Sequence, residues 1–438
     1  METTVDWFRE IWGMTARIPT VLATAATFTF GACATDTDSS ADGPDVVTET
    51  IGDTTVVRTL SGSVWEGDAT LVPEVSIGEL DGPEEYLFGR IFSIAADDDR
   101  NVYVFDHQAQ EVRVFDPEGT YVETLGGRGE GPGEFSRAEA IALLPDGRLV
   151  VRDPGNQRIE VFGPASGQSD QWGYRAGGLY TGSPLYTDVN GRTFVYAPDR
   201  SDDDRGTHLI VFGPDGTQVD TLPYPSSTHE PPMLTAERRG VTASGQPTRG
   251  STATHLPFSP MFQWTVHPSG HFLTGLSARY RIDLARDDDV LRIERAADPV
   301  RVHDEERDHK RDGVVEDMRD MDPDWSWNGP PIPEHKPFFN QLLAGRNGRI
   351  WVRLATEGQP VENEYYDPED PGSMPIVWSE SVRYDVFETD GVYLGAVVPP
   401  DEFSPYPNPV FDGDHVWGVT RDELGVQRVV RFRIVVGG

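Results

Sequence analysis

The chain has 438 residues, and its 73 acidic against 37 basic side chains give a formal net charge of −36. That balance argues against nucleic acid as the main partner, since phosphate binding needs a clustered positive surface. A hydrophobic content of 37% supplies a core, and the single cysteine, Cys33, excludes an intramolecular disulfide framework and any CxxC-type zinc or redox site. Length alone suggests about three domains, although closed all-β folds often run longer as one unit. The 45 glycines and 35 prolines favour many turns over long helices. Lys310 and Lys336 are the only lysines, so arginine carries nearly all the positive charge, a compositional bias that identifies no activity.

Residues 18 to 32 form the only apolar stretch near the start, too short to span a bilayer as a helix. It ends in Phe30-Gly31-Ala32-Cys33, and small residues before a lone cysteine resemble the lipobox of bacterial lipoproteins, in which the thiol is acylated. The segment before Met14 is acidic, whereas Met14-Thr15-Ala16-Arg17 is a short basic lead into the apolar run, so Met14 is the expected start. Residues 1–33 therefore read as a signal segment with Cys33 as its lipidation site. Residues 34–50 hold five acidic residues among Thr, Ser and Ala and no basic one, which predicts a flexible tether. Ala34 after the cysteine, by its resemblance to Gram-negative lipoproteins, implies the outer membrane as the address. No later stretch is long and apolar enough to be transmembrane.

From residue 51 onward the chain repeats. Ser93-Ile94-Ala95-Ala96 through Val102-Tyr103-Val104-Phe105-Asp106 aligns with Ala140-Ile141-Ala142-Leu143 through Leu149-Val150-Val151-Arg152-Asp153, about 47 residues further on. Val112-Arg113-Val114-Phe115 and Ile159-Glu160-Val161-Phe162 keep the same offset. Each unit reads as alternating strands separated by polar turns. Pro117-Glu118-Gly119-Thr120 recurs as Pro214-Asp215-Gly216-Thr217 about two repeats later. Later copies of the turn-then-strand element are His267 to Leu273 and Arg346 to Val352, and the last is Asp414 to Val419. Units of about 40 to 50 residues with four antiparallel strands predict propeller blades, six in number. Thr55-Val56-Val57-Arg58-Thr59-Leu60 is the strand expected to complete the sixth and close the ring.

The join Gly126-Gly127-Arg128-Gly129-Glu130-Gly131-Pro132-Gly133-Glu134-Phe135, with Asn101 to Val104 and Arg113 to Gly119, resembles one NHL repeat. Leu256-Pro257-Phe258, Tyr280-Arg281-Ile282, Pro337-Phe338-Phe339, Gly348 to Val352 and Thr420 to Leu424 resemble the six-bladed propeller lipoproteins of environmental bacteria. The resemblance implies a fold and an envelope address, not an activity, because propellers host unrelated functions.

Two stretches break the repeat: residues 223–255, expected to be a polar loop insertion, and 303–335, where charged residues at helical spacing around Val314, Val315 and Met318 predict a short helix. Insertions in a rigid ring carry recognition or are decoration. The glycine-rich join leads into another strand and so lacks the helix a phosphate cradle needs. Asp106 and Asp153 end equivalent strands, which points to turn-bonding and away from a unique active-site acid. The acidic triplets at 97–99, 202–204 and 287–289 lack the pattern of a calcium loop and read as solvated turns. Among aromatics near the helix, Trp325 and Trp327 are the candidates for a ligand platform, others such as Trp351 being core.

The reading is thus an all-β, six-bladed β-propeller on a tether, lipid-anchored to a bacterial envelope membrane. It binds or scaffolds a protein, peptide or glycan, with no nucleic acid, no required cofactor and no catalytic motif. The runner-up follows from resemblance, since some NHL-type propellers are zinc lyases and other six-bladed propellers are calcium-dependent lactonases. His107, His267 and His271, at turns or strand ends, are then the candidate ligands for zinc or calcium in the central channel, although they lack established metal-ligand spacing.

Overall fold

A computed structural model describes residues 43–164, 169–173, 184–198, 207–241, 247–363, 366–369 and 373–437. Cys33, the signal segment and residues 34–42 of the expected tether lie outside them. Six four-stranded antiparallel blades follow one another in the ring. Blade 1 comprises Ile91–Ala96, Val102–Asp106, Glu111–Phe115 and Tyr121–Gly126. Blade 2 comprises Ala140–Leu143, Leu149–Asp153, Arg158–Phe162 and Ser169–Gly173, and blade 3 Tyr186–Thr187, Thr193–Pro198, Thr207–Phe212 and Gln218–Pro223. Blade 4 is built from Phe262–Val266, Phe272–Leu276, Arg281–Ala285 and Val290–Arg295, and blade 5 from Phe339–Ala344, Ile350–Leu354, Tyr384–Phe387 and Tyr393–Val398. Blade 6 takes its inner rungs from Phe403–Ser404 and Val410–Asp412, then His415–Arg421 and Gln427–Val436.

The core lies between blades. Phe105, Phe135, Ile141 and Val151 join blades 1 and 2, and Val150, Trp172, Val195 and Phe212 join 2 and 3. Phe194, Val211 and Val266 lie between 3 and 4; Ile282, Ile293, Phe339 and Phe387 between 4 and 5. Trp351, Tyr384, Val416 and Phe432 fill the next interface, and Ile77, Val104, Phe115 and Trp417 seal blade 6 to blade 1. Alternation along each strand thus feeds two neighbours at once, which closes the ring.

Closure differs from the sequence expectation. The outer strand of blade 6 is Ala69–Ile77, antiparallel to Gln427–Val436, and not residues 55–60. Pro73 obscured that strand in the sequence, but an outer strand with a register shift between Pro73 and Val75 accommodates a residue lacking N–H. The expected closing segment, Thr54–Ser61, instead pairs in parallel with Val290–Arg295 at the rim of blade 4. It also forms a hairpin with Asp45–Ile51, so the tether expected over 34–50 gives way to a strand by Asp45. Between these two attachments Trp65 N–H donates to Leu394 O at 2.8 Å and Arg383 clasps Asp68. The segment from 45 to 77 therefore straps the outside of blades 4, 5 and 6.

The 223–255 stretch is not a loop throughout: Met233–Val241 and Pro247–His255 pair as an antiparallel hairpin. Leu234 and Ala236 alternate toward helix α1, Asp304–Met321, and pack with Met318, Trp325 and Ile332 in a core separate from the ring.

Candidate functional site

Antiparallel topology sorts every connection to one of two faces. Turns between first and second strands, such as 97–101, 267–271 and 345–349, lie on one face together with the turns between third and fourth strands. All are short. Turns between second and third strands, and joins between blades, lie on the other face. The three longest connections, 224–261, 296–338 and 355–383, all rise from this second face beside blades 3, 4 and 5. They carry the hairpin at 233–255, helix α1 and a further hairpin of Gly358–Glu362 with Ile376–Glu380.

At the root of these connections lies a half-open cavity of about 170 Å³. Phe258, Ser259 and Met261 line it from the first connection, Pro337 from the end of the second, Phe339 and Asn340 from the first strand of blade 5, and Ala355 and Glu380 from the third. Gln263 and Ser277 complete it from blade 4. Phe258 has φ of 58°, a strained position for a bulky side chain and one that must be held by its surroundings.

Behind this wall Lys336 is buried. Its Nζ donates to Glu306 Oε1 of α1 at 2.7 Å and to Glu380 Oε1 of the third connection at 2.7 Å, and it lies 5.2 Å from the centre of the Phe258 ring. One ammonium thereby joins all three long connections. Gly358 makes this possible, since a Cβ there would collide with the Glu306 carboxylate. Glu380 Oε2 also accepts from Thr356 N–H at 3.1 Å and Asn340 Nδ2 at 3.3 Å. Sequence reasoning noted the rarity of lysine but attached no role to Lys336; that scarcity and the adjoining Pro337-Phe338-Phe339 were the available signals.

The histidines do not converge. His107 follows the second strand of blade 1 and so sits on the long-connection face, its ring 5.1 Å from that of Phe92. Burial, with Arg90 nearby, holds its imidazole below the ordinary range. His267 and His271 belong to a first turn of blade 4, on the opposite face. Ser269 Oγ bridges them, 2.7 Å from His267 Nδ1 and 3.0 Å from His271 Nδ1, while His267 Nε2 lies 2.9 Å from Gly348 O. His271 Nε2 is engaged by Asp287 at 3.1 Å. Both His267 nitrogens are thus committed to the hairpin and the next blade. The expected three-histidine ligand set is not assembled, because successive turns of a blade alternate between faces, and among the described residues no three His, Cys, Asp or Glu side chains gather as metal ligands.

The tryptophans separate as well. Trp325 is 5% exposed, its Nε1 donating to Thr235 O at 2.8 Å, so it is a core residue of the α1 hairpin layer and not an open platform. Trp327 is half-buried beside it, with Nε1 on Pro330 O and Arg311 over its ring. Asp106 and Asp153 are buried turn clamps. Asp106 accepts from the backbone of Gly89, Arg90 and Gln108, and Asp153 from Ser136, Arg137 and Gly155. In the glycine-rich join, a Cβ at Gly126 would strike the buried ring of Phe135, so close packing explains that glycine. On the short-turn face Arg346 reaches Asp97 O, Asp98 and Asp412, tying blades 5, 6 and 1 near the axis. Among the described residues no helix is long and apolar enough to cross a membrane.

No curated protein matches the sequence. Similar solved structures include a candidate exported protein from Bacteroides fragilis, at 9% identity over 83% of this chain and 95% of that one, TM-score 0.45. A streptogramin B lyase matches at 11% identity over 85% and 100%, TM-score 0.40, and a gluconolactonase from Xanthomonas campestris at 14% over 90% and 95%, TM-score 0.38. Residues 71–162, the closing strand with blade 1 and most of blade 2, match the model of a family described as a 6-bladed beta-propeller, and the ring built by the rest of the chain carries that description through to blade 6.

Proposed function

We propose that this propeller is a binding module of the bacterial envelope, attached to a membrane through lipid on Cys33, that holds a protein, peptide or glycan ligand on its long-connection face. The observation that carries the reading is the placement of all three long connections on one face around a single cavity. Long connections on a rigid ring are where recognition is built, and a strained backbone position at the cavity wall is of the kind ligand clamps hold. On the opposite face the connections are short, and Arg346 ties those of blades 5, 6 and 1 together beside a polar cavity of about 240 Å³ that no long connection reaches.

The test is a peptide-display and glycan-array screen with the full chain, repeated with two variants. Met261→Trp fills the cavity, and Asp288→Arg alters an exposed turn on the opposite face. Ligands are expected to lose at least tenfold in affinity with the first and to be indifferent to the second. The reverse pattern would place the binding face wrongly.

A further inference from the structure

The cavity is lined half by apolar residues, Phe258, Met261, Pro337, Phe339 and Ala355, and half by polar ones, one of them charged. Among the described residues Glu380 is its only ionisable lining residue, and behind it stand Lys336 and Glu306. Two carboxylates against one ammonium leave this cluster with one negative charge in excess. Glu306 Oε2 is moreover buried with no hydrogen-bond partner among the described residues. A carboxylate offers about four lone-pair sites. Lys336, Thr356 and Asn340 take three of those of Glu380, which leaves about one acceptor position.

Size and lining then select the ligand. A volume of about 170 Å³ falls short of the roughly 300–1,000 Å³ of sites that enclose whole small molecules, so the cavity fits one end of something larger. Phe258, Met261, Pro337 and Phe339 suit an unbranched alkyl stem, while a carboxylate beside aromatic rings suits an ammonium. The protein already satisfies the same chemistry once, in holding its own Lys336 with Glu306, Glu380 and the Phe258 ring. We infer that the cavity receives a lysine side chain presented by a partner peptide, its stem against the apolar walls and its ammonium on Glu380. This rests on the long-connection face being the binding face.

The experiment titrates the full chain, at physiological ionic strength so that general attraction to the acidic surface is screened, with acetyl-Gly-Lys-Gly-amide. The same tripeptide carrying norleucine keeps the stem and loses the charge. Vesicles containing phosphatidylethanolamine present ammonium from a lipid instead. Saturable one-to-one binding of the lysine peptide is expected, with the norleucine peptide at least tenfold weaker and the vesicles unbound. Glu380→Gln should weaken binding at least tenfold. Met261→Trp should abolish it while leaving the Lys336–Glu380 pair in place, which separates occupancy of the cavity from folding. Glu357→Gln, which removes an exposed carboxylate near the same hairpin, should change nothing. Equal binding of the norleucine peptide, no saturable binding, equal losses with Glu357→Gln and Glu380→Gln, or vesicle binding in place of peptide binding would each overturn the inference. Lysine-free ligands that bind tightly yet remain sensitive to Met261→Trp would sink the ammonium specificity and leave the face standing. Insensitivity of every ligand to Met261→Trp would remove the face itself.

Discussion

His267 is held at both ring nitrogens, by Ser269 and by the Gly348 carbonyl across to blade 5, and burial pulls its imidazole below the ordinary range. In the unfolded chain the same group takes up a proton near pH 6.5. Its contribution to stability is therefore present above that pH and is lost as pH falls through the lower folded value. Urea unfolding at pH 7.5 and 5.5 should show a larger acid loss for the native chain than for His267→Gln; equal losses would deny His267 this part. The residue type was visible in the sequence as a candidate ligand, and its position in a turn was too. What the sequence could not convey was the face: whether a turn points up or down depends on counting strands from a correctly placed first one. Asp106 and Asp153 were more legible, because recurrence in step with the repeat distinguishes a turn clamp from a unique acid.

At the scale of elements, the three long connections are independent pieces of secondary structure that share one fastening. Lys336 supplies it from the segment after α1, and its two carboxylates come from α1 and from the 376–380 strand. Breaking a buried pair by removing one partner costs about 3–5 kcal/mol, since the remaining charges stay buried without compensation. Lys336→Met is accordingly expected to lower stability by about that amount and to expose the 355–383 hairpin to limited proteolysis ahead of the ring. Cleavage at native rates, with native denaturation midpoints, would show that the lysine fastens nothing. Helix α1 was readable from spacing, Val314, Val315 and Met318 turning toward one side. The hairpin at 233–255 was not, because its strands are rich in polar and small residues and, among its described residues, only Leu234 and Ala236 mark the buried side. Their apolar partners, Met318 and Trp325, lie far along the chain.

For the molecule as a whole, stability is distributed over six inter-blade cores, and the ring is completed by a strand from the amino-terminal side, Ala69–Ile77. The repeat of about 47 residues made the blade architecture legible, since a period of alternating strands leaves few other closed arrangements. Choosing the closing strand was harder. Val56 and Val57 look like core, and they are buried, but at the rim of blade 4. The strand that closes the ring must lead directly into blade 1 while running antiparallel to the last strand, and only residues 69–77 do both. Removing residues 43–61 should leave a soluble ring with a lowered melting temperature, because only a rim hairpin is lost. Extending the deletion through Ile77 should stop soluble protein from accumulating. A soluble, cooperatively melting product of the longer deletion would contradict closure by that strand.

The strap also decides how the ring answers a pull from its amino terminus. Asp45 is paired with Ser61 at the open end of its hairpin, so tension there unzips rungs one at a time down to Ile51 and Thr54 and loads no two rungs together. Peeling residues 45 to 61 from blade 4 would pay out roughly 55–60 Å of slack, at about 3.3–3.6 Å per extended residue. Only afterwards would force reach Trp65, the Arg383–Asp68 clasp and the strand that closes blade 6. Under such a pull the rim hairpin would be expected to give way before the ring itself is strained.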